Sequence, residues 1–242
     1  MEVGAILFLF LSGLVLGSLL ILYRQRRIPP GRSLLAFQGL QQETGYAAES
    51  GGAVHIALGS GELYEEDAIT SLAGLQALEA MADAAVSYRA PPVVTVGDPT
   101  LLPLAQDVLR RAYERSGRAD LYRPSRVRFV APSPIAYTAG AAHVVATERI
   151  TANAMIGAFG PEVSLIADAS ARRDLPQLAA VADPRAIGAL YPATDRLAMG
   201  EELYTASAQM TEERYYAVSL IAHDVLRIIL VLIIAGAVLW PF

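Results

Sequence analysis

Residues 3–23 run without a single charged side chain and are rich in Leu, Ile, Val and Phe. As a helix rising about 1.5 Å per residue, such a run covers a roughly 30 Å hydrocarbon core. It is therefore read as a transmembrane helix. A cleaved signal peptide fits less well, because the start carries Glu2 in place of a basic segment and no Ala-x-Ala site precedes Arg24. Arg24, Arg26 and Arg27 follow at once and by the positive-inside rule stay in the cytoplasm, which places the N-terminus outside.

The other end repeats the theme. Residues 226–242 are apolar apart from Arg227, and 217–222 add a largely apolar approach before His223 and Asp224. A second span is expected, with Arg227 reaching back towards the cytoplasmic headgroups and Trp240 resting in the opposite aromatic belt. Both termini then lie outside. Asp224 and Arg227 are three residues apart and can pair on one helical face at the water boundary, so interfacial anchoring is preferred to an intramembrane functional cluster. Gly13 and Gly17 make a Gly-x-x-x-Gly pair, and Ala235, Gly236 and Ala237 a small patch in the second helix; small residues let helices approach closely and point to helix packing.

A mean hydropathy of +0.38 agrees with two lipid-facing ends. Removing them leaves roughly 190 residues, enough for one sizeable core. The chain has no cysteine, which excludes disulfides, thiolate metal sites and a cysteine nucleophile. A net charge of −5 without a long basic run excludes nucleic acid as an expected partner.

Between the ends, short apolar runs alternate with helical segments, the pattern of βαβ units. Strands are expected at 53–58, 92–96, 127–131, 153–158 and 177–182. The first leads through Gly59, Ser60 and Gly61 to a helix over 67–88 with Leu72, Leu75, Leu78, Ala82 and Ala85 on its apolar stripe. The others lead through Gly97-Asp98-Pro99, Pro132-Ser133-Pro134, Gly160-Pro161-Glu162 and Asp183-Pro184. Proline suits the first helical position, and Asp98, Ser133 and Asp183 are candidate caps. The expected fold is α/β, a Rossmann-like, mostly parallel sheet of about five strands with flanking helices and a transmembrane helix at each end. Its parts are a membrane helix at 1–23, a juxtamembrane linker at 24–52, a cytoplasmic α/β domain at 53–199, and a long helix at 200–242 that enters the membrane.

In such a sheet the strand-to-helix turns gather at the carboxyl edge, where anions and polar ligands bind. The candidate edge is Gly59, Ser60, Gly61, Asp98, Ser133, Gly160, Glu162 and Asp183. No dinucleotide or Walker phosphate loop is present, since position 64 is Tyr. Ser60 lacks a Gly-x-Ser-x-Gly elbow, and Asp98 and Asp183 are explained as caps. Glu162 suits a helix dipole. His55 in a strand and His143 in a helix have no partner motif, so no catalytic residue, metal or cofactor is assigned.

The segments ETGYAAESGGAVHIALGSG (43–61), VGDPTLLPLAQDVLRRAY (96–113) and AFGPEV (158–163) resemble a family of bacterial and archaeal membrane proteins that carries a domain-of-unknown-function label. The resemblance implies the architecture and no activity. Ala47 stands where an arginine is associated with that family, and Gly52-Ala53 where an Arg-Pro pair is, so the turn departs from the pattern. Three function classes stay open: a self-associating membrane scaffold, a sensor or carrier of a small anionic ligand or nucleotide at the carboxyl edge, and an enzyme with an unrecognised site. The scaffold is preferred, because the anchors and small-residue faces are present and no catalytic constellation is. The expected partners are the lipid bilayer and further copies of the chain, with a small-molecule ligand as the alternative.

Overall fold

The computed structural model describes residues 51–64, 66–194, 196–205 and 225–231, with 13, 17, 21 and 49 as isolated positions. The chain divides into two compact units, Met1–Arg32 with Glu212–Phe242, and Ser33–Thr211. Among the described residues no helix is long and apolar enough to cross a membrane. Most of 3–23 and 217–242, including Arg24, Arg26 and Arg27 beyond the first run and Ala235, Gly236 and Trp240 in the second, lies outside the described residues.

The second unit is an α/β domain built on six parallel strands: β1 (Ala53–Gly59), β2 (Pro92–Val96), β3 (Val127–Phe129), β4 (Ile150–Ala158), β5 (Gln177–Val181) and β6 (Leu197–Met199). Their order across the sheet is β3-β2-β1-β4-β5-β6, that of the doubly wound Rossmann-like folds. The central strand β1 is buried over its whole length, as a parallel strand covered on both faces must be, and its run AVHIALG is accordingly apolar rather than alternating.

Among the described residues five α-helices cover the sheet: α1 (Ala68–Ser87), α2 (Leu101–Arg115), α3 (Pro134–Thr147), α4 (Ser164–Ala171) and α5 (Pro184–Leu190). On one face Val54, Ile56 and Leu58 pack with Leu75, Leu78 and Met81 of α1 and Leu101, Ala105 and Leu109 of α2. On the other, Ala57 and Met155 pack with Tyr137 of α3, Ile166 of α4 and Leu190 of α5. Gly74 lets α1 settle onto β4: a Cβ there would stand 2.8 Å from the Ile156 carbonyl oxygen.

Several expectations are corrected. Leu72 is exposed, because at 3.6 residues per turn it lies roughly 100° from the centre of the stripe made by Leu75, Leu78, Ala82 and Ala85. The sheet has a sixth strand, β6, and the segment after β4 begins as a 3-10 turn, Pro161–Val163, before α4. Gly200–Thr205 is also a 3-10 helix, and its Leu203 joins the core. The rest of the long helix expected from residue 200 lies outside the described residues up to 225–231, which are helical.

Candidate functional site

The strand order reverses between β1 and β4, and ligands of doubly wound sheets bind beyond the carboxyl ends of the strands at such a point. Here the backbone itself closes that place. Gly59, at φ +85, donates its amide to the Tyr137 hydroxyl at 3.2 Å and accepts from the Gly97 amide at 2.8 Å. The Ser60 amide donates to the Ala158 carbonyl at 3.0 Å, and the Gly160 amide to Glu162 Oε1 at 3.0 Å. A Cβ on Gly59 would stand 2.0 Å from the Ala158 oxygen, so β1 and β4 are in contact at their ends. Phosphate loops work by leaving such amides pointing at the ligand. Those of Gly59, Ser60, Gly97 and Gly160 all point at the protein.

Beside this closed seam lies a cleft of about 700 Å³. Of the expected edge residues, Ser60, Gly160, Glu162 and Asp183 line it, whereas Gly59, Gly61, Asp98 and Ser133 do not. Glu66, Asp67, Thr70, Phe159 and Arg185 are among its other lining residues. The placement of the first three at the start of α1, directly after the Gly59–Gly61 turn, was the signal available.

The cap assignments divide. Asp183 caps α5 as expected, accepting from the Arg185 amide at 2.8 Å. The Arg185 guanidinium bonded to it holds its carboxyl below the usual carboxylate range. Asp98 is not the N-cap residue of α2, which is Thr100, but its Oδ1 accepts from the Thr100 amide at 2.8 Å and from the Thr100 hydroxyl. It organises the approach to the helix from two residues upstream. Ser133 occupies the N-cap of α3 without a side-chain cap bond, so Pro134 and the backbone alone start that helix. Glu162 turns back onto Gly160 within the 3-10 turn.

The electrostatics of the cleft oppose an anion. Glu66, Asp67, Glu162 and Asp183 face it, while the one basic lining residue among the described residues, Arg185, is already bonded to Asp183 at 2.8 Å.

His55, which has no partner motif in the sequence, finds hydrogen-bond partners through the sheet. Its Nδ1 lies 2.7 Å from Asn153 Oδ1 on β4 and its Nε2 3.0 Å from Thr95 Oγ1 on β2. The register explains the meeting: His55 pairs with Asn153 across β1 and β4, and Thr95 shares its face beside Ala57. Above them the Tyr137 hydroxyl donates to the Thr95 carbonyl at 3.1 Å. Burial lowers the His55 pKa to about 4 and pushes Tyr137 up to about 12. Both groups are neutral and sealed from solvent, so the set ties β1, β2, β4 and α3 together and has no reach to a substrate. His143 is exposed on α3. Among the described residues no group of three or more His, Asp or Glu side chains is placed to hold a metal ion.

The chain matches the family described as a domain of unknown function (DUF6754) over residues 3–241 and belongs to it. No curated protein and no solved structure matches the chain.

Proposed function

We propose that this member of the DUF6754 family is a membrane-anchored scaffold whose α/β domain lies in the cytoplasm and associates with further copies of itself. The observation that carries the reading is the internal use of the amides at the switch point. The element with which a doubly wound domain ordinarily holds a phosphate is already bonded to Tyr137, Ala158 and Glu162.

Apolar surface adds to it. Ile69 and Leu72, three residues apart on one face of α1, stand exposed, and Tyr204 is bonded to the intervening Thr70 at 3.4 Å. Uncovered apolar groups gathered in this way favour association. In the helical stretch 225–231, Ile228, Leu230 and Val231 are exposed, which suits contact with lipid. The two apolar ends and the three arginines after the first of them support anchors with both termini outside.

A second reading, a sensor or carrier of a small ligand at the carboxyl edge, is favoured by the cleft. Its volume of about 700 Å³ falls among small-molecule sites. The four carboxylates lining it argue against a nucleotide or other anion there. Purification of the full-length chain in mild detergent, with its native mass and any co-purifying molecule determined, separates the readings. A discrete oligomer with nothing bound is the expected result; a monomer carrying a small molecule in the carboxyl-edge cleft overturns the scaffold.

A further inference from the structure

The opposite, amino edge of the sheet carries a cleft of about 570 Å³, lined among others by Arg89, Tyr113, Arg118, Asp120, Leu121 and Arg126. In a chain of net charge −5, three guanidiniums face one carboxylate here.

Three separate backbone devices bring the arginines together. Helix α1 ends in a Schellman motif, with the Arg89 amide on the Val86 carbonyl at 3.1 Å and the Ala90 amide on the Ala85 carbonyl at 2.8 Å. Helix α2 ends the same way, with the Gly117 amide on Glu114 at 3.0 Å and the Arg118 amide on Tyr113 at 2.9 Å. The left-handed position of the motif is Gly117 in α2, at φ +70, the residue such a place ordinarily takes. In α1 it is Arg89, at φ +62. A side chain is kept there although glycine would remove the left-handed penalty of roughly 1–2 kcal/mol. Arg118 follows Gly117 directly, and its Nη1 donates to the Val86 carbonyl at the end of α1, which fixes the guanidinium and offsets one terminal carbonyl. Arg126 closes the 3-10 turn Pro124–Arg126 just before β3.

Among the described residues neither Arg89 nor Arg126 makes a side-chain hydrogen bond or contact ion pair, so their donors remain available. Asp120 carries the opposing charge, and its own backbone carbonyl accepts from Arg123 Nη1 at 2.7 Å. Guanidiniums converging from three chain segments suit a tetrahedral oxyanion, which presents oxygens in several directions; a planar carboxylate is satisfied by one fork. Pro91 and Leu121 supply an apolar wall.

We propose that this amino-edge cleft binds a phosphate-bearing group, from a phosphorylated small molecule or from the headgroup of an anionic phospholipid. The competing account is that the arginines only offset the negative ends of α1 and α2. Arg89→Gly separates the two: it removes a cation while relieving the left-handed strain.

The test uses the full-length chain in mild detergent. Titration with inorganic pyrophosphate is followed by calorimetry, and thermal unfolding is followed with short-chain phosphatidylglycerol or phosphatidylcholine added to the micelles. Binding of pyrophosphate identifies a soluble phosphate ligand, and a shift with phosphatidylglycerol alone identifies a lipid headgroup. In either case rising salt weakens the binding. Arg89→Gly and Arg126→Gln each weaken it by roughly tenfold or more, the loss of a charge-assisted contact. Arg89→Gly does so with an unfolding temperature equal to or above that of the parent. The proposal is overturned if neither pyrophosphate nor phosphatidylglycerol has an effect, if both lipids act equally without pyrophosphate binding, or if both variants bind as the parent does. Should one variant fail to fold, the other decides, since Arg89 and Arg126 belong to different segments.

Discussion

The Ser60 amide donates to the Ala158 carbonyl at 3.0 Å, so β1 stays bonded to β4 one residue beyond its own end. Together with the inward bonds of the Gly59, Gly97 and Gly160 amides, this bond distinguishes the switch point from an open dinucleotide crevice. It depends on Gly59, whose φ of +85 turns the chain and whose missing Cβ admits the Ala158 oxygen.

Gly59→Ala is therefore expected to destabilise the domain by more than the roughly 1–3 kcal/mol of backbone strain alone, because the clash with Ala158 adds to the left-handed penalty. Urea unfolding of the full-length chain in detergent measures it. A change below about 0.5 kcal/mol would show that the seam is not tightly closed.

His55 is expected to make stability depend on pH. Its folded pKa is lowered from 6.5 to about 4 by burial, so between those values the unfolded chain binds a proton that the folded chain refuses. The contribution is fully present above pH 6.5 and is lost as pH falls towards 4. The difference corresponds to on the order of 3 kcal/mol. Comparing the urea midpoint at neutral pH with that near pH 4.5 tests it: His55→Gln is expected to flatten this dependence while lowering stability at neutral pH. An equally steep dependence in the variant would assign the effect to other groups.

Much of this fold was legible because parallel strands buried on both faces leave unmistakable apolar runs. The expected strand at 92–96 and the observed Pro92–Val96 coincide, and the helix expected over 67–88 is Ala68–Ser87. Strand β6 was not legible, since the three residues Leu197–Met199 are too few to carry a period. The site was legible only as an edge. Ser60, Gly160, Glu162 and Asp183 line the cleft because turns after parallel strands gather there, while Glu66, Asp67 and Thr70 belong to a helix start without a motif. The partners of His55 are 40 and 98 residues away and become neighbours only through strand register. The arginines of the amino-edge cleft meet for a similar reason: two helix ends and the start of β3 have to be placed side by side before Arg89, Arg118 and Arg126 face one another.

Asp98 is expected to matter through the Oδ1 that receives the Thr100 amide. Asp98→Asn keeps an acceptor oxygen and is expected to be nearly neutral, whereas Asp98→Ala costs about 0.5–2 kcal/mol. Thermal unfolding of the two variants gives the contrast. If Asp98→Asn were as damaging as Asp98→Ala, the carboxylate charge and not the acceptor would be the important property.

The proposed topology is open to a direct test because the chain contains no cysteine. Ser125, exposed between α2 and β3, is replaced by cysteine and probed with an impermeant thiol reagent. Labelling is expected only after the cells are opened. Reaction in intact cells would place the α/β domain outside and reverse the orientation inferred from Arg24, Arg26 and Arg27.

The proposed self-association would draw on Gly13 and Gly17, both helical, with no described neighbour within 4 Å of where a Cβ would stand on either. One turn apart, they leave a shallow groove on one helical face. Lipid gives helices no hydrophobic reason to associate, so in the proposed scaffold close packing through such grooves would supply the contact. A second span of the same chain can fill the groove equally well, and only the assembled mass tells the two apart. Replacing both glycines by Ile is expected to lower the native mass in lipid nanodiscs while the α/β domain keeps its unfolding transition. Ile69→Glu with Leu72→Glu, on the exposed face of α1, is expected to lower it further, since that contact lies in a different part of the chain. A parent chain that is monomeric in several mild detergents and in nanodiscs would remove the scaffold reading altogether. An oligomer that survives all four substitutions would keep it and move the interface elsewhere.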